Sequence, residues 1–236
     1  MQGNMGKKAP KRLKAVIFDL DDTLVLSTID FGKFKGLVID RIVQWGDDAK
    51  LYSPSETIVV ILKRYEDRAR ARGMSQTELR RKLEELDRIM NSVELEHVHE
   101  TLPIQGAAEV LRLLRKHGVR IGVLTRGCHD YANRALSVTR MADLVDELEC
   151  RNSDSKPKPD PEAYLRLAAA LGADPGETIF VGDHPIDAQC AKNAGVRFVA
   201  VMTGDVPEHR LKEAGSEEVF EDVGKMADWF LKFLKD

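Results

Sequence analysis

The stretch Val16-Ile17-Phe18-Asp19-Leu20-Asp21-Asp22-Thr23 passes abruptly from apolar residues to three acids and a threonine. A short, continuously apolar run of this kind is typical of a buried strand in a parallel sheet. Open α/β sheets bind their ligands at the carboxyl ends of such strands. Asp19 and Asp21 would repel each other there, so the pattern predicts an accompanying cation, a shared proton or a chemical task. An Asp-rich turn without a function is the alternative at this point.

The composition is that of a soluble globular protein. With 236 residues, 43% hydrophobic and 32% charged, we expect one core domain and a smaller module. The net charge of −3 gives no reason to expect nucleic acid as a partner. Three scattered cysteines without CxxC spacing predict neither disulfides nor a zinc site, which favours a reducing, cytoplasmic location.

The sequence carries no sign of membrane insertion or secretion. It has no apolar run of membrane-spanning length, and the basic segment 1–14 lacks the apolar region of a secretory signal. We interpret that segment as a solvated tail. We therefore expect a cytoplasmic monomer or homodimer that binds neither membrane nor nucleic acid.

Strand-like and helix-like segments alternate in most of the chain. The expected strands are 14–24, 119–125, 178–183 and 196–202, and the expected helices are 106–117, 161–171 and 226–234. This rhythm predicts an α/β core with a doubly wound, Rossmann-like parallel sheet.

The segment between the first strand and this series has a different character. It predicts helices over 31–45, 55–72 and from 75 to about 90, with Ser55 and Ser75 as N-caps. We therefore expect a core made of 1–26 and 101–236 and an α-helical insert over 27–100. An insert that follows the acidic strand end is expected to cover it as a cap that excludes water and selects substrates.

Polar residues recur where the later strands end or where loops return to the same edge of the sheet. They are Thr125 after the second strand, Lys156 or Lys158 in Ser155-Lys156-Pro157-Lys158-Pro159, and Asp183 and Asp187 in Gly182-Asp183-His184-Pro185-Ile186-Asp187. In this order the motifs resemble the haloacid dehalogenase-like (HAD) hydrolase superfamily, whose pattern is DxDx(T/V), a Thr or Ser, a Lys and (G/S)Dxxx(D/N). The resemblance implies a HAD core with an inserted helical cap, as in the branch of phosphoglycolate phosphatases and β-phosphoglucomutases.

The resemblance also implies roles for the acids. Asp19 is expected to be the nucleophile that forms an aspartyl-phosphate, and Asp21 to protonate the leaving group and then activate water. Hard oxygen ligands and a phosphate substrate point to Mg²⁺, held by the side chains of Asp19 and Asp183 and the backbone carbonyl of Asp21. Asp187 is expected to support this metal site through water or by orienting its neighbours.

The remaining motif residues are expected to bind the phosphate group. Thr125 would donate its hydroxyl group to the phosphate. Arg126 stands where the family usually has Asn or Ser, and it is a candidate for an extra anion contact. In similar proline-rich loops, the distance to Tyr164 and Gly172 selects Lys158 as the catalytic lysine, which leaves Lys156 as a rim charge.

These residues together predict a Mg²⁺-dependent phosphatase for a small phosphorylated metabolite, such as phosphoglycolate or a sugar phosphate. A phosphosugar mutase of the same superfamily is the nearest alternative. A non-catalytic phosphate-sensing module is an alternative of a different class, since receiver domains also combine a phosphorylatable Asp with acids, a Thr and a Lys. Receiver domains, however, lack a helical insert.

Overall fold

A computed structural model describes residues 12–234, which divide into two compact units. One unit comprises the chain up to Ser27 and from His99 onward, and the other is Thr28–Val98. The expected basic tail lies, apart from its last three residues, outside the described residues. Within residues 12–234, no helix has the length and apolar character needed to span a bilayer.

The first unit is built on a parallel sheet. The strands of the described chain are β1 Ala15–Phe18, β2 Val25–Leu26, β3 Leu102–Pro103, β4 Arg120–Leu124, β5 Glu147–Glu149, β6 Thr178–Gly182, β7 Arg197–Val201 and β8 Val219–Phe220. Six of these form one sheet in the order β5-β4-β1-β6-β7-β8, with every neighbouring pair parallel. β2 and β3 form a separate antiparallel ribbon at the two ends of the insert. The predicted doubly wound α/β core is confirmed.

Strand β1 is shorter than predicted. It ends at Phe18 and does not reach Leu24, because the carbonyl of Leu20 accepts backbone hydrogen bonds from Thr23, Leu24 and Val25 and so closes a turn. All four residues of β1 are fully buried. This explains why the strand is continuously apolar: helices cover both faces of a parallel sheet. Asp19 is therefore the first residue beyond the strand.

In the first unit, helices alternate with the strands of the sheet, whereas the first three helices of the described chain belong to the second unit. The α-helices of residues 12–234 are α1 Phe31–Gln44, α2 Ile58–Ala71, α3 Gln76–Glu96, α4 Ala107–Lys116, α5 His129–Val138, α6 Glu162–Ala170, α7 Pro185–Ala194, α8 Glu208–Glu213 and α9 Ala227–Phe230. α4 and α6 correspond to predicted helices. α9 is shorter than the predicted 226–234, because residues 223–226 form a 3₁₀ turn before it and the chain after Phe230 is no longer helical.

The second unit contains α1, α2 and α3, which bury one face each in a shared apolar core. Ser75 caps α3 as predicted, with its hydroxyl accepting from the backbone N–H of Glu78 at 3.2 Å. Ser55 does not cap α2. Its hydroxyl pairs with that of Ser53 at 2.8 Å, and α2 begins three residues later at Ile58.

Candidate active site

Residues from four separate motifs meet at the carboxyl edge of the sheet. β1 lies between β4 and β6, and all three strands run in the same direction. Asp19, Thr125 and Asp183 each follow directly after one of these strands, and the loop before α6 carries Lys158. Parallel strands place their carboxyl ends at one edge, so residues distant in sequence become neighbours.

Lys158 links two of the predicted acids. Its Nζ lies 2.7 Å from Asp19 Oδ1 and 2.7 Å from Asp187 Oδ1, and its side chain is 2% exposed. Burial alone would lower the pKa of Lys158, but the charges of Asp187 and Asp19 outweigh it and raise the pKa above its ordinary value. Lys156 lies at the surface with a 73% exposed side chain, 3.7 Å from Glu162. The structure thus brings Lys158 to the acids and leaves Lys156 away from them.

Asp183 joins the two acids bound to this lysine in a cluster of three buried carboxyl groups. Asp19, Asp183 and Asp187 each have an oxygen within 4.8 Å of the others. Burial, only partly offset by Lys158, raises the pKa of Asp19 to about 6, and burial together with the charges of Asp19 and Asp187 raises the pKa of Asp183 to about 9. One ammonium group accompanies three buried carboxyl groups whose oxygens lie within 4.8 Å of one another, so the donor set fits an additional cation.

Asp183 contacts Thr23 of the first motif and a loop after β7 that the sequence did not indicate. The hydroxyl of Thr23 donates to Asp183 Oδ1 at 3.2 Å. On the other side lies Gly204, where an added Cβ would come within 2.2 Å of Asp183 Oδ2. The hydroxyl of the preceding Thr203 donates to the backbone carbonyl of Asp22. The change from apolar to polar residues after β7 could have indicated this loop, because polar residues also follow β1, β4 and β6.

Both oxygens of Asp187 already have protein partners. Oδ1 accepts from Lys158, and Oδ2 accepts from the backbone N–H of His184 at 3.1 Å. Gly182 leaves room for this carboxylate, because a Cβ there would lie 2.5 Å from Asp187 Oδ2. These contacts suit the predicted supporting role, in which Asp187 orients the lysine.

Asp21 lies in a second group with two hydroxyl donors. Tyr131 donates to Asp21 Oδ1, and Thr125 Oγ1 donates to Oδ2 at 3.4 Å. Burial raises the pKa of Asp21 to about 7. A carboxyl group with this pKa exchanges a proton near neutral pH, which is what a general acid and base requires. Tyr131 lies on helix α5, which was not among the predicted elements, so its place beside Asp21 was not predicted.

Thr125 and Arg126 lie in the loop after β4. Thr125 Oγ1 accepts from the backbone N–H of Gly127 at 2.9 Å, which orders this loop. Arg126 is partly buried, and its carbonyl accepts from Arg151 Nη1 at 2.8 Å. Substrate binding by Arg126 stays a prediction.

The chain is similar in sequence to several phosphatases. It is 30% identical to a phosphoglycolate phosphatase from Cereibacter sphaeroides over 213 residues, which are 84% of this chain and 93% of the relative. It is 37% identical to a validoxylamine A 7'-phosphate phosphatase from Streptomyces hygroscopicus over 100 residues, which are 42% of this chain and 47% of the relative. The chain thus spans about half the length of that relative and of several others that it matches.

The fold is also found among solved structures. A hydrolase from Pseudomonas syringae superimposes with a TM-score of 0.65 at 21% identity, covering 93% of this chain and 98% of the other. The profile of a family described as haloacid dehalogenase-like hydrolase matches residues 16–201. That match begins inside β1 and ends with β7, so it includes all four motifs that meet at the sheet edge. The chain therefore belongs to the haloacid dehalogenase-like hydrolase family.

Proposed function

We propose that this protein is a Mg²⁺-dependent phosphatase that hydrolyses a small phosphomonoester through an aspartyl-phosphate on Asp19. The observation that carries the proposal is the position of Lys158, 2.7 Å from both Asp19 and Asp187 in a buried cluster that also contains Asp183. A buried lysine paired with one carboxylate would be a simple ion pair. Here two carboxylates share it and a third, that of Asp183, has an oxygen within 4.8 Å of theirs, an arrangement that favours binding a cation and an anionic substrate together.

Asp19 and Asp183 are the side chains that would hold the metal ion, with the backbone carbonyl of Asp21 as a further ligand. When bound, Mg²⁺ would neutralise negative charge on the phosphate oxygens. Magnesium suits the site because its donors are carboxylate and carbonyl oxygens, without histidine or thiolate. Lys158 supplies a second positive charge beside the nucleophile, and Thr125 supplies a hydroxyl donor for a phosphate oxygen.

The first chemical step transfers the phosphoryl group to the protein. A carboxylate oxygen of Asp19 forms a bond to phosphorus while the bond from phosphorus to the ester oxygen breaks. The ester oxygen leaves with the bonding electron pair and takes the proton of Asp21, so an alcohol is released. Lys158 holds the Asp19 carboxylate in position for this attack.

The second step releases phosphate. Asp21, now ionised, removes a proton from water as the water oxygen bonds to phosphorus and the bond to Asp19 breaks. Inorganic phosphate leaves and both aspartates return to their initial states. The same residue therefore acts as acid and then as base, which a carboxyl group with a pKa of about 7 can do.

A small phosphorylated metabolite is the proposed substrate class. Two relatives are named as phosphatases of phosphoglycolate and of validoxylamine A 7'-phosphate. These two compounds have a phosphomonoester group in common and little else, so the names support the substrate class and no single compound. We also propose that the helical insert is the cap that selects among such substrates. This proposal is supported by the position of the insert in the chain, between the first and second motifs.

The proposal is tested by phosphate release from a panel of phosphomonoesters, with and without Mg²⁺. We expect activity that requires the metal and is abolished in Asp19→Asn, together with a radiolabelled phosphoprotein intermediate in the wild type but not in the variant. Absence of phosphate release from every member of the panel would refute the phosphatase. Transfer of phosphate between two positions of a sugar without release would instead establish the mutase.

A further inference from the structure

We propose that Asn193 is a positioning residue, which holds the loop that carries Lys158 from the C-terminal end of helix α7. The inference rests on the proposed phosphatase function, in which Lys158 supplies a positive charge beside the nucleophile. Asn193 Nδ2 donates to the backbone carbonyl of Pro159 at 2.9 Å. Because Pro159 directly follows Lys158, this hydrogen bond fixes the backbone next to the lysine.

One side of α7 contacts three successive residues of this loop. The contacting residues of the helix are spaced three positions apart, so they follow one another along its surface. The pairs are Asp187 with Lys158 Nζ at 2.7 Å, Cys190 Sγ with the Asp160 carbonyl at 3.5 Å, and Asn193 Nδ2 with the Pro159 carbonyl at 2.9 Å. The same helix therefore holds both the ammonium group of the lysine and the backbone that follows it.

The composition of the loop explains why its carbonyl groups need side-chain donors. In residues 156–161 every second residue is a proline, which has no backbone N–H. Such a segment cannot form a regular hydrogen-bonded ladder with a neighbouring strand, so its carbonyls need other partners. Proline fixes only its own φ, and the orientation of the Pro159 carbonyl still depends on ψ. The amide of Asn193 supplies the donor that fixes this orientation.

Asn193 is itself oriented by Gln189. A backbone carbonyl only accepts hydrogen bonds, so the Asn193 amide must turn its NH₂ group toward Pro159. Its Oδ1 then accepts from Gln189 Nε2 at 2.7 Å. The two side chains are four residues apart and hence neighbours on the surface of α7. Gln189 therefore selects the amide orientation that the loop requires.

Loss of the Asn193 amide should change the position of the lysine while its charge is kept. A net hydrogen bond of ordinary strength corresponds to about 2- to 10-fold in a rate constant. Alanine has a higher helix propensity than asparagine, so Asn193→Ala does not weaken α7 through propensity. A lower activity of this variant would therefore come from the loop and not from the helix.

The experiment is a double-mutant cycle of Asn193→Ala and Lys158→Ala, with kcat measured on p-nitrophenyl phosphate. In the wild-type background we expect Asn193→Ala to lower kcat about 2- to 10-fold. In the Lys158→Ala background we expect a further change of less than about twofold, because the group that Asn193 positions is absent. Lys192→Ala removes an exposed side chain from the same turn of α7 and should leave kcat unchanged.

The cycle distinguishes a failure of this inference from a failure of the proposed function. With an active wild type, equal losses in the two backgrounds would show that Asn193 supports the fold independently of Lys158, and they would overturn the inference. An unchanged kcat of Asn193→Ala would overturn it as well. An inactive wild type would refute the phosphatase itself.

Hydrogen exchange measures the same contact without relying on catalysis. Within the loop, the backbone N–H of Asp160 donates to the Pro157 carbonyl at 3.1 Å. We expect segment 155–162 to exchange about 2- to 10-fold faster in Asn193→Ala than in the wild type or the control variant. Gln189→Glu should have the same effect, because its carboxylate cannot donate to the Asn193 amide. Unchanged exchange in both variants would overturn the inference.

Discussion

Lys158 and the acids around it illustrate how single residues define this site. The buried ammonium group has carboxylates on two sides, so its removal leaves like charges facing one another. Lys156 is two residues away in the same proline-rich loop but is largely exposed. The two lysines therefore form a natural pair of test and control.

We expect Lys158→Ala to lower kcat about 100-fold or more, the range seen when one charge-stabilising donor is removed from an active site. The variant should also lower the free energy of unfolding, because Asp19 and Asp187 lose their shared partner. Phosphate release and thermal unfolding by circular dichroism measure the two effects. Lys156→Ala should change neither, and an inactive Lys156→Ala beside an active Lys158→Ala would show that the lysines were assigned the wrong way round.

Gly204 offers a second test at the same scale. A Cβ at this position would lie 2.2 Å from Asp183 Oδ2, and the other Asp183 oxygen is already engaged by Thr23. Gly204→Ala should therefore displace the carboxylate and raise the Mg²⁺ concentration for half-maximal activity about 10- to 100-fold. Gly176→Ala is the control, because a Cβ there meets no atom within 4 Å. Equal magnesium dependence in the two variants would contradict the assignment of Asp183 as a ligand.

The main features of the site could be predicted from residue types and their order, but the supporting residues could not. Asp19, Asp183 and Lys158 lie in motifs that the sequence displays. Tyr131 and Gly204 lie against residues distant along the chain, and neither belongs to a motif. Their chemistry is ordinary until the fold brings them against Asp21 and Asp183, so no local pattern could reveal them.

At the scale of elements, the helical insert has a polar anchor in addition to its apolar core. Asp47, which follows α1, accepts hydrogen bonds from Tyr52 at 2.7 Å, from Arg68 Nη2 at 2.8 Å and from Arg72 Nη2 at 2.6 Å. Burial alone would raise the pKa of Asp47, but these three donors outweigh it and hold the pKa well below its usual range. The Asp47 carboxylate therefore connects α2 and its C-terminal end to the segment that follows α1.

We expect Asp47→Asn to lower the free energy of unfolding of the insert by about 1.5–3 kcal/mol, the range for hydrogen bonds to a charged group. Because the folded pKa is depressed, the stabilisation by Asp47 is full above the unfolded pKa of about 3.9 and declines as the pH falls toward the folded value. The difference in the free energy of unfolding between the wild type and Asp47→Asn should therefore become smaller below about pH 4. Urea unfolding at several pH values measures it.

The control for this prediction is Asp67→Asn. Asp67 is 55% exposed and pairs with Lys63 across one turn of α2. Exposed pairs of this kind contribute about 0.3–0.5 kcal/mol, so the variant should stay close to the wild type. A pH-independent difference for Asp47→Asn would contradict the role of its charge.

At the scale of the whole molecule, the topology places the motifs. The chain passes from β1 to β4 and β5 on one side of the sheet and then to β6, β7 and β8 on the other. Loops after β1 and its two neighbours consequently open at the point where the direction of winding changes, which is where such sheets bind ligands. The insert interrupts this path at the β2–β3 ribbon, in which Leu26 pairs with Leu102.

That pairing makes the insert removable in an experiment. A short glycine linker from Ser27 to His99 would replace Thr28–Val98, because the ribbon already brings the two chain ends together. If the insert selects substrates, the shortened protein should still hydrolyse p-nitrophenyl phosphate, while its kcat/KM values for different alkyl phosphomonoesters converge. An unchanged ranking of those substrates would show that selection resides in the core.

The sequence by itself determined the α/β class, the helical character of the insert and the identity of the acids, because apolar periodicity and residue order are local properties. The length of β1 and the start of α2 were predicted wrongly, since the turn at Leu20 and the pairing of Ser55 with Ser53 competed with the local pattern. The family resemblance selected Lys158, which the structure places beside Asp19. Only the tertiary structure decided that the Tyr131 hydroxyl meets Asp21 and that Gly204 admits Asp183. Those contacts join residues far apart in the chain, and their distances follow from the packing of parallel strands and not from spacing in the sequence.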